Sequence, residues 1–160
     1  MKTKSDIDSL ITEEFNGVTQ KFLVAGIPKT KQEKLWSLLS ILSENLTEFE
    51  VVYEGKINYG FRNKRIEIVL YQFPVLLLGE ISDAKNVDKK ALTFEELIDF
   101  MKKQDIYQDI IIVGGIFLEE LPSETTLTEL RTLLTHPFLF LNIQDDSFFD
   151  TIKEYVLSHQ

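Results

Sequence analysis

The sequence contains no cysteine and only two histidines, His136 and His159. The absence of thiols excludes a disulfide framework, a thiolate zinc site and a cysteine nucleophile. Two histidines are too few for a histidine-rich metal site. Any metal would therefore be held mainly by carboxylates, which favours Mg²⁺, Mn²⁺ or Ca²⁺.

Proline and glycine are also scarce, with 4 and 7 residues, whereas 44% of the chain is hydrophobic. This composition predicts a folded protein rather than a disordered one. At 160 residues the chain has the length of one domain, so we expect a single domain over residues 1–160. No apolar run is long enough for a membrane span, and the N-terminus, MKTKSDIDSL, turns acidic before the apolar region of a signal peptide could form. We therefore expect a cytoplasmic protein without a membrane partner.

The net charge of −9 is unevenly distributed. Residues 21–103 carry 13 Lys and Arg against 12 Asp and Glu, whereas residues 104–160 carry 2 against 10. An acidic protein binds nucleic acid poorly unless its cations are clustered, because cations must neutralise phosphates. The neutral central part permits a local basic face, and the acidic C-terminal third permits docking to a basic protein.

Hydrophobic spacing and turn signals predict alternating helices and strands. In the first half we expect a helix from Ser5, a strand over 21–25, a helix from Thr30 with Glu33 as its capping-box partner, strands over 48–54 and between Gly55 and Gly60, a turn at 62–64, and strands over 65–72 and 75–81. In the second half we expect a helix capped by Thr93 with Glu96, a strand over 109–117, a helix around Leu127 to Leu134, a strand over 138–143 and a helix from Ser147. This order predicts an α/β fold with a mixed central β-sheet flanked by helices.

Two carboxylates, Glu67 and Glu80, lie in consecutive predicted strands. Glu67 lies inside an alternating strand, and Glu80 ends an apolar one. If the strands pair, the two side chains can share one hard cation with oxygen ligands at about 2.0–2.6 Å. Such a cation lowers the pKa of a bound water and stabilises charge on a phosphate, so the pair is a candidate phosphodiesterase site. The alternative is two solvent-facing strand residues.

The segments RIEIVL and LLLGEIS, with the helix before them and the helix and strand after them, resemble the PD-(D/E)xK nuclease superfamily. The resemblance covers roughly residues 30–118. It implies a restriction-endonuclease-like core (αβββαβ), with an added N-terminal helix and strand and a C-terminal α-β-α. It also implies that Glu67 and Glu80 bind Mg²⁺ or Mn²⁺ if the protein is active, and otherwise no cofactor. Glu33 is similar in placement to a further acid that some members carry, or is simply a capping-box residue.

Two positions depart from the superfamily pattern. Glu67 replaces the usual aspartate, and Ser82 stands where the motif has its lysine. Lys85, three residues further on, would supply the missing charge if the strand end curls back toward Glu80. The departure leaves two hypotheses open, a nuclease acting on DNA or RNA and a catalytically degenerate relative that only binds.

A further cluster, Tyr59, Arg62, Lys64 and Arg65, surrounds a predicted turn near these strands. Basic side chains with an aromatic ring suit contacts to a nucleic-acid backbone, although a solvated hairpin end explains them equally. A third hypothesis is an immunity- or inhibitor-type protein that docks on a basic target through its acidic C-terminal third, including Glu119, Glu120, Glu124, Glu129, Asp145 and Asp146. Many members of the superfamily are dimers, so a homodimer is also possible.

Overall fold

The computed structural model describes residues 31–59, 62–145 and 147–159. Within these ranges it describes the side chains apart from those of residues 31–33, 36, 43, 50, 52–59, 62–65 and 106. The predicted helix from Ser5 and the predicted strand over 21–25 lie outside the described residues.

The described chain forms four α-helices, five β-strands and one short 3₁₀-helix. In chain order they are α1 (Lys31–Asn45), β1 (Glu50–Tyr59), β2 (Arg62–Gln72), β3 (Val75–Ser82), α2 (Val87–Lys102), the 3₁₀-helix (Asp105–Tyr107), β4 (Ile111–Leu118), α3 (Glu124–Leu133), β5 (Phe138–Asn142) and α4 (Phe148–Leu157). The α/β prediction is therefore confirmed.

The strands form one mixed sheet in the order β1-β2-β3-β4-β5. β1, β2 and β3 pair antiparallel, and β3, β4 and β5 pair parallel. The turn between β2 and β3 contains a cis peptide bond at Phe73–Pro74. The parallel pairs are joined through α2 and α3, as parallel strands require a crossover connection. Strand β3 is thus the place where the sheet changes from antiparallel to parallel pairing.

Helices cover both faces of the sheet, which explains why β3 and β4 are almost continuously apolar. One face packs against α1 and α4 through residues that include Leu39, Leu42 and Ile152. The other packs against α2 through residues that include Phe94, Ile98 and Met101. The sheet therefore lies between two hydrophobic clusters.

Three boundaries differ from the sequence prediction. The two short strands expected on either side of Gly55 are one strand, β1, because β2 pairs with it along its whole length. Residues 62–64 belong to β2 rather than to a turn. Helix α2 begins at Val87, six residues before the predicted cap Thr93, whose hydroxyl donates to the carbonyl of Lys89 inside the helix.

No helix among the described residues is long and apolar enough to cross a bilayer.

Candidate active site

Strands β2 and β3 bring Glu67 and Glu80 to neighbouring positions. The pairing of these strands runs from Gln72 with Val75 to Ile68 with Gly79, so Glu67 and Glu80 are the next residues on either side. Beyond that point the backbone N–H of Ile81 donates to Oε1 of Glu67 at 3.3 Å. A side chain of β2 therefore continues the contact to β3 where the regular ladder stops.

Both carboxylates lie on the face of the sheet that α2 covers. In β3, the buried residues Leu76 and Leu78 pack in the cluster with α2, and Glu80 follows two residues later on the same face. In β2, Val69 belongs to the same cluster, and Glu67 precedes it by two residues. Glu80 thus faces the N-terminal part of α2, and Glu67 lies beside it with its carboxylate against the backbone of β3.

A lysine of α2, Lys90, contacts this site. Its Nζ lies 3.5 Å from Oε1 of Glu80, and the two side chains are only 23% and 18% exposed. The same Nζ donates to the carbonyl oxygen of Ile81 at 2.6 Å. Such a half-buried ion pair is screened less by salt than a surface pair. The structure therefore joins two carboxylates and one lysine at the end of β3.

Sequence reasoning missed Lys90 because it placed residues 82–90 in a loop. The signal was present, since Val87, Ala91, Phe94 and Ile98 repeat at helical spacing and are all buried. The predicted substitute, Lys85, is exposed in the connection between β3 and α2. Ser82, at the motif's lysine position, is buried at 6% exposure and donates to the carbonyl of Asp83.

The connection between β3 and α2 is fixed by Asp83 and Asn86. One oxygen of Asp83 accepts hydrogen bonds from the Asn86 backbone N–H at 3.0 Å and from its side-chain amide at 2.7 Å. The side-chain hydrogen bond from Asn86 is the main reason that the pKa of Asp83 lies below its ordinary value. This turn sets where α2 begins and hence where Lys90 stands.

A cleft of about 520 Å³ adjoins the site at the end of β3. Its wall includes Lys90, Lys34 from the first turns of α1, and the acids Asp83, Glu119 and Glu120. Lys34 pairs with Glu119 at 2.9 Å across it, so α1 and the end of β4 meet there. Glu67 and Glu80 do not line this cleft, and Lys90 is the residue that connects them with it.

The remaining candidate residues are placed only by their backbones. Tyr59 pairs with Arg62, and the backbones of Lys64 and Arg65 pair with β1. Strand β2 stays paired with β1 for six residues beyond its last pair with β3, at Ile68. These four residues therefore lie on a two-stranded extension next to the end of β3. Their side chains, and that of Glu33 in α1, lie outside the described part of the structure.

The oxygen donors fit a hard cation only in part. The oxygens next to Lys90 are one carboxylate oxygen of Glu80 and the carbonyl of Ile81. The carboxylate of Glu67 lies nearby, where it accepts a hydrogen bond from the Ile81 N–H. Mg²⁺ and Mn²⁺ take such ligands, and the Lys90 ammonium is itself a cation held between two of them. Within the described ranges, no group of three or more His, Asp or Glu side chains is arranged to hold a metal ion.

A second polar cluster, which the sequence did not reveal, joins α2 to the segment after α3. Glu95 accepts hydrogen bonds from the backbone N–H groups of Thr135 and His136, and His136 lies 3.3 Å from Asp99. These contacts tie the start of β5 to α2.

The acids Glu120, Glu124, Glu129 and Asp145 of the C-terminal third are exposed, whereas Asp146 is not described.

The geometry defines a mixed α/β protein with a carboxylate and lysine site at the end of a central strand. No protein-family model matches the chain, and no curated protein matches it. Among solved structures, it is similar to one described as the crystal structure of a protein of unknown function, AF1548. That similarity has a TM-score of 0.49 and 13% sequence identity, and it covers 75% of this chain and 67% of the other. This similarity supports no conclusion about function.

Proposed function

We propose that this protein has a PD-(D/E)xK nuclease-like core and hydrolyses phosphodiester bonds of DNA or RNA with Mg²⁺ or Mn²⁺. The proposal depends on the arrangement of three side chains. Lys90 contacts Glu80, and Glu67 accepts a hydrogen bond from the backbone N–H of Ile81, the residue after Glu80. Two carboxylates and a lysine at the end of adjacent strands are the groups that the sequence resemblance implies, with the lysine supplied by a helix.

The finer fold assignment rests on the order of elements. From α1 to β4 the chain runs α-β-β-β-α-β, with the first three strands antiparallel and the fourth parallel to the third. This is the order that the resemblance implies for residues 30–118. A fold does not determine an activity, so the argument for hydrolysis depends on the site.

In this proposal Glu67 and Glu80 hold the cation, and Lys90 supplies the positive charge that Ser82 lacks. The cation supplies Lewis-acid stabilisation of phosphate charge and a lowered pKa for water. Lys90 carries three N–H donors, of which one is directed at the Ile81 carbonyl. A remaining donor can contact a phosphate oxygen and stabilise negative charge in the transition state, an effect typically worth about 10²–10³ in rate.

The β1–β2 extension is the proposed contact for nucleic acid. It carries Tyr59, Arg62, Lys64 and Arg65 beyond the end of the β2–β3 pairing. Cations on a projecting ribbon can follow a phosphate backbone while the carboxylates approach the scissile bond. The acids of the cleft wall, by contrast, do not favour a polyanion.

The first test is cleavage of labelled single- and double-stranded DNA and RNA in Mg²⁺ and in Mn²⁺. We expect Glu80→Gln to reduce cleavage by at least about 100-fold, because it removes a charged ligand. Glu96→Gln is the matched control, since Glu96 is an exposed carboxylate on α2. Equal cleavage by both variants would refute the assignment of Glu80.

Three lysine variants test whether Lys90 or Lys85 supplies the positive charge that Ser82 lacks. We expect Lys90→Ala to abolish cleavage, and Lys85→Ala and Lys89→Ala to retain it, because Lys85 and Lys89 are exposed. Loss of activity in Lys85→Ala but not in Lys90→Ala would restore the sequence-based assignment.

A second candidate function is binding of a basic protein by a catalytically degenerate member. The observation in its favour is the charge of the cleft, where Asp83, Glu119 and Glu120 outnumber Lys34 and Lys90. This function predicts no cleavage of any of the four substrates. It also predicts association with a basic partner at a rate that falls steeply with added salt. Cleavage by the wild type that Glu80→Gln abolishes would exclude this alternative.

A further inference from the structure

The ammonium group of Lys90 is held between two oxygen acceptors. One is the Ile81 carbonyl at 2.6 Å, and the other is Oε1 of Glu80 at 3.5 Å. A carboxylate oxygen and a backbone carbonyl are also ligands of Mg²⁺, Mn²⁺ and Ca²⁺ in proteins. Lys90 thus interacts with the oxygens that a divalent cation needs.

A divalent cation and the Lys90 ammonium compete for these oxygens in the present arrangement. Metal ligands stand at about 2.0–2.6 Å from the ion, and the ammonium is already at hydrogen-bond distance from one of them. Two cations that close repel each other strongly at a site so little exposed to water. Binding of a cation there therefore favours departure of Lys90 from the Ile81 carbonyl.

The cleft provides space into which the Lys90 ammonium can move. Lys90 lines its wall together with Asp83, Glu119 and Glu120, all of which are exposed. A lysine side chain has four rotatable methylene groups, so its ammonium can move without a change in α2. Glu119 is paired with Lys34, whereas Asp83 already attracts Lys90 by charge.

We propose that Lys90 is a built-in competitor for the divalent cation: its ammonium occupies the cation position in the metal-free protein and moves into the cleft when the cation binds. The proposal rests on Glu80 as a cation ligand of the proposed function, adds the Ile81 carbonyl as a ligand, and adds a regulation of that site. The affinity for the cation is then set by how readily Lys90 leaves the Ile81 carbonyl.

The test is Mn²⁺ binding to the full chain, followed by calorimetry and by the electron paramagnetic resonance signal of free Mn²⁺. We expect Lys90→Met to bind Mn²⁺ about tenfold or more tightly than the wild type, because no charge-assisted hydrogen bond must be broken. Lys89→Met is the matched control and should bind like the wild type. The double variant Glu80→Gln with Lys90→Met should lose the gain. Equal or weaker binding by Lys90→Met, or a gain that survives Glu80→Gln, would overturn the proposal.

A measurement on the wild type covers the case in which Lys90→Met does not fold. Acetylation of lysines by a soluble reagent, read by mass spectrometry, reports how accessible each ammonium is. We expect Mg²⁺ to raise the labelling rate of Lys90 several-fold relative to Lys89. Unchanged labelling of Lys90 at a Mg²⁺ concentration that saturates binding, or no Mg²⁺ binding at all, would contradict displacement.

The two proposals fail in different ways. If Lys90→Met gains Mn²⁺ affinity but the wild type cleaves no substrate, the competition stands and the nuclease function falls. If the wild type cleaves in a Glu80-dependent manner but Lys90→Met shows no gain, the nuclease function stands and the competition falls. If both hold, Lys90→Met should combine tighter Mn²⁺ binding with lost cleavage.

Discussion

Replacing Gly114 by alanine should destabilise the fold, because the ring of Phe138 occupies the space of the new methyl group. A Cβ at Gly114 would lie 2.2, 2.5 and 2.7 Å from three ring carbons of Phe138. Carbon atoms pack at about 3.5–4.0 Å, so the ring would have to move by more than about 1 Å. The two residues are register partners in β4 and β5, and the Gly114 N–H donates to the Pro137 carbonyl at 3.0 Å. The backbone therefore cannot shift without loss of sheet hydrogen bonds.

We expect a loss of about 1–3 kcal/mol in the free energy of unfolding, the usual cost of overpacking. In a chain of this size that corresponds to a fall in Tm of about 2–12 °C. Guanidinium denaturation followed by circular dichroism measures the loss. A Gly114→Ala variant within about 0.5 kcal/mol of the wild type would refute the reasoning, since surface substitutions away from special features fall in that range.

A double-mutant cycle tests whether Phe138 is the cause. In a Phe138→Ala background the methyl group of Gly114→Ala has room, so its cost should largely vanish. The same cost in both backgrounds would show that the clash with Phe138 is not responsible. Phe138 also stacks on Phe140 with ring centroids 6.3 Å apart, so Phe138→Ala alone is expected to be destabilising.

Two further predictions concern the ends of α3 and α4. Ser123 caps α3, with Oγ accepting from the Thr126 N–H at 3.2 Å, so Ser123→Ala should cost about 0.5–2 kcal/mol by urea denaturation. A loss below about 0.3 kcal/mol would mean that this cap contributes little. Hydrogen bonds from Ser147, its backbone first, hold the pKa of Asp145 below its ordinary value. The stability that these hydrogen bonds add is therefore present above about pH 4 and is lost as the pH falls through the lowered pKa. The difference in the free energy of unfolding between the wild type and Asp145→Asn should therefore shrink from pH 7 to pH 3. A gap independent of pH would contradict this.

The sequence predicted most elements because their apolar patterns are strong. The helix expected from Thr30 is present as α1, and the apolar strand expected over 75–81 is present as the buried strand β3. The start of α2 was wrong because Thr93 and Glu96 have capping-box spacing but lie within the helix. Thr93 instead bonds back to Lys89, a common alternative for a threonine in a helix interior. The true start depends on the turn formed by Asp83 and Asn86, whose hydrogen bonds leave little trace in hydrophobic periodicity.

The site was predictable only as far as strand order allowed. Consecutive strands with one acid each predicted that Glu67 and Glu80 would be neighbours, and the register places them there. The contribution of Lys90 required the correct first turn of α2, so the error in that boundary concealed it. The cleft could not be predicted, because it depends on the packing of α1 against the end of β4 through Lys34 and Glu119.

The position of β3 between antiparallel and parallel neighbours has a consequence for how this protein can change in evolution. The connections over 83–86 and 119–123 both leave the sheet at its carboxyl-terminal edge, next to the cleft, whereas the β2–β3 turn lies at the opposite edge. Ligands of α/β proteins are commonly bound at such an edge, where loops vary while the strands stay fixed. Insertions in the connection over 119–123 would reshape the rim of the cleft without disturbing the layers of the core, whereas the connection over 83–86 is constrained by the turn that starts α2. New binding preferences could therefore arise after β4 at little cost in stability.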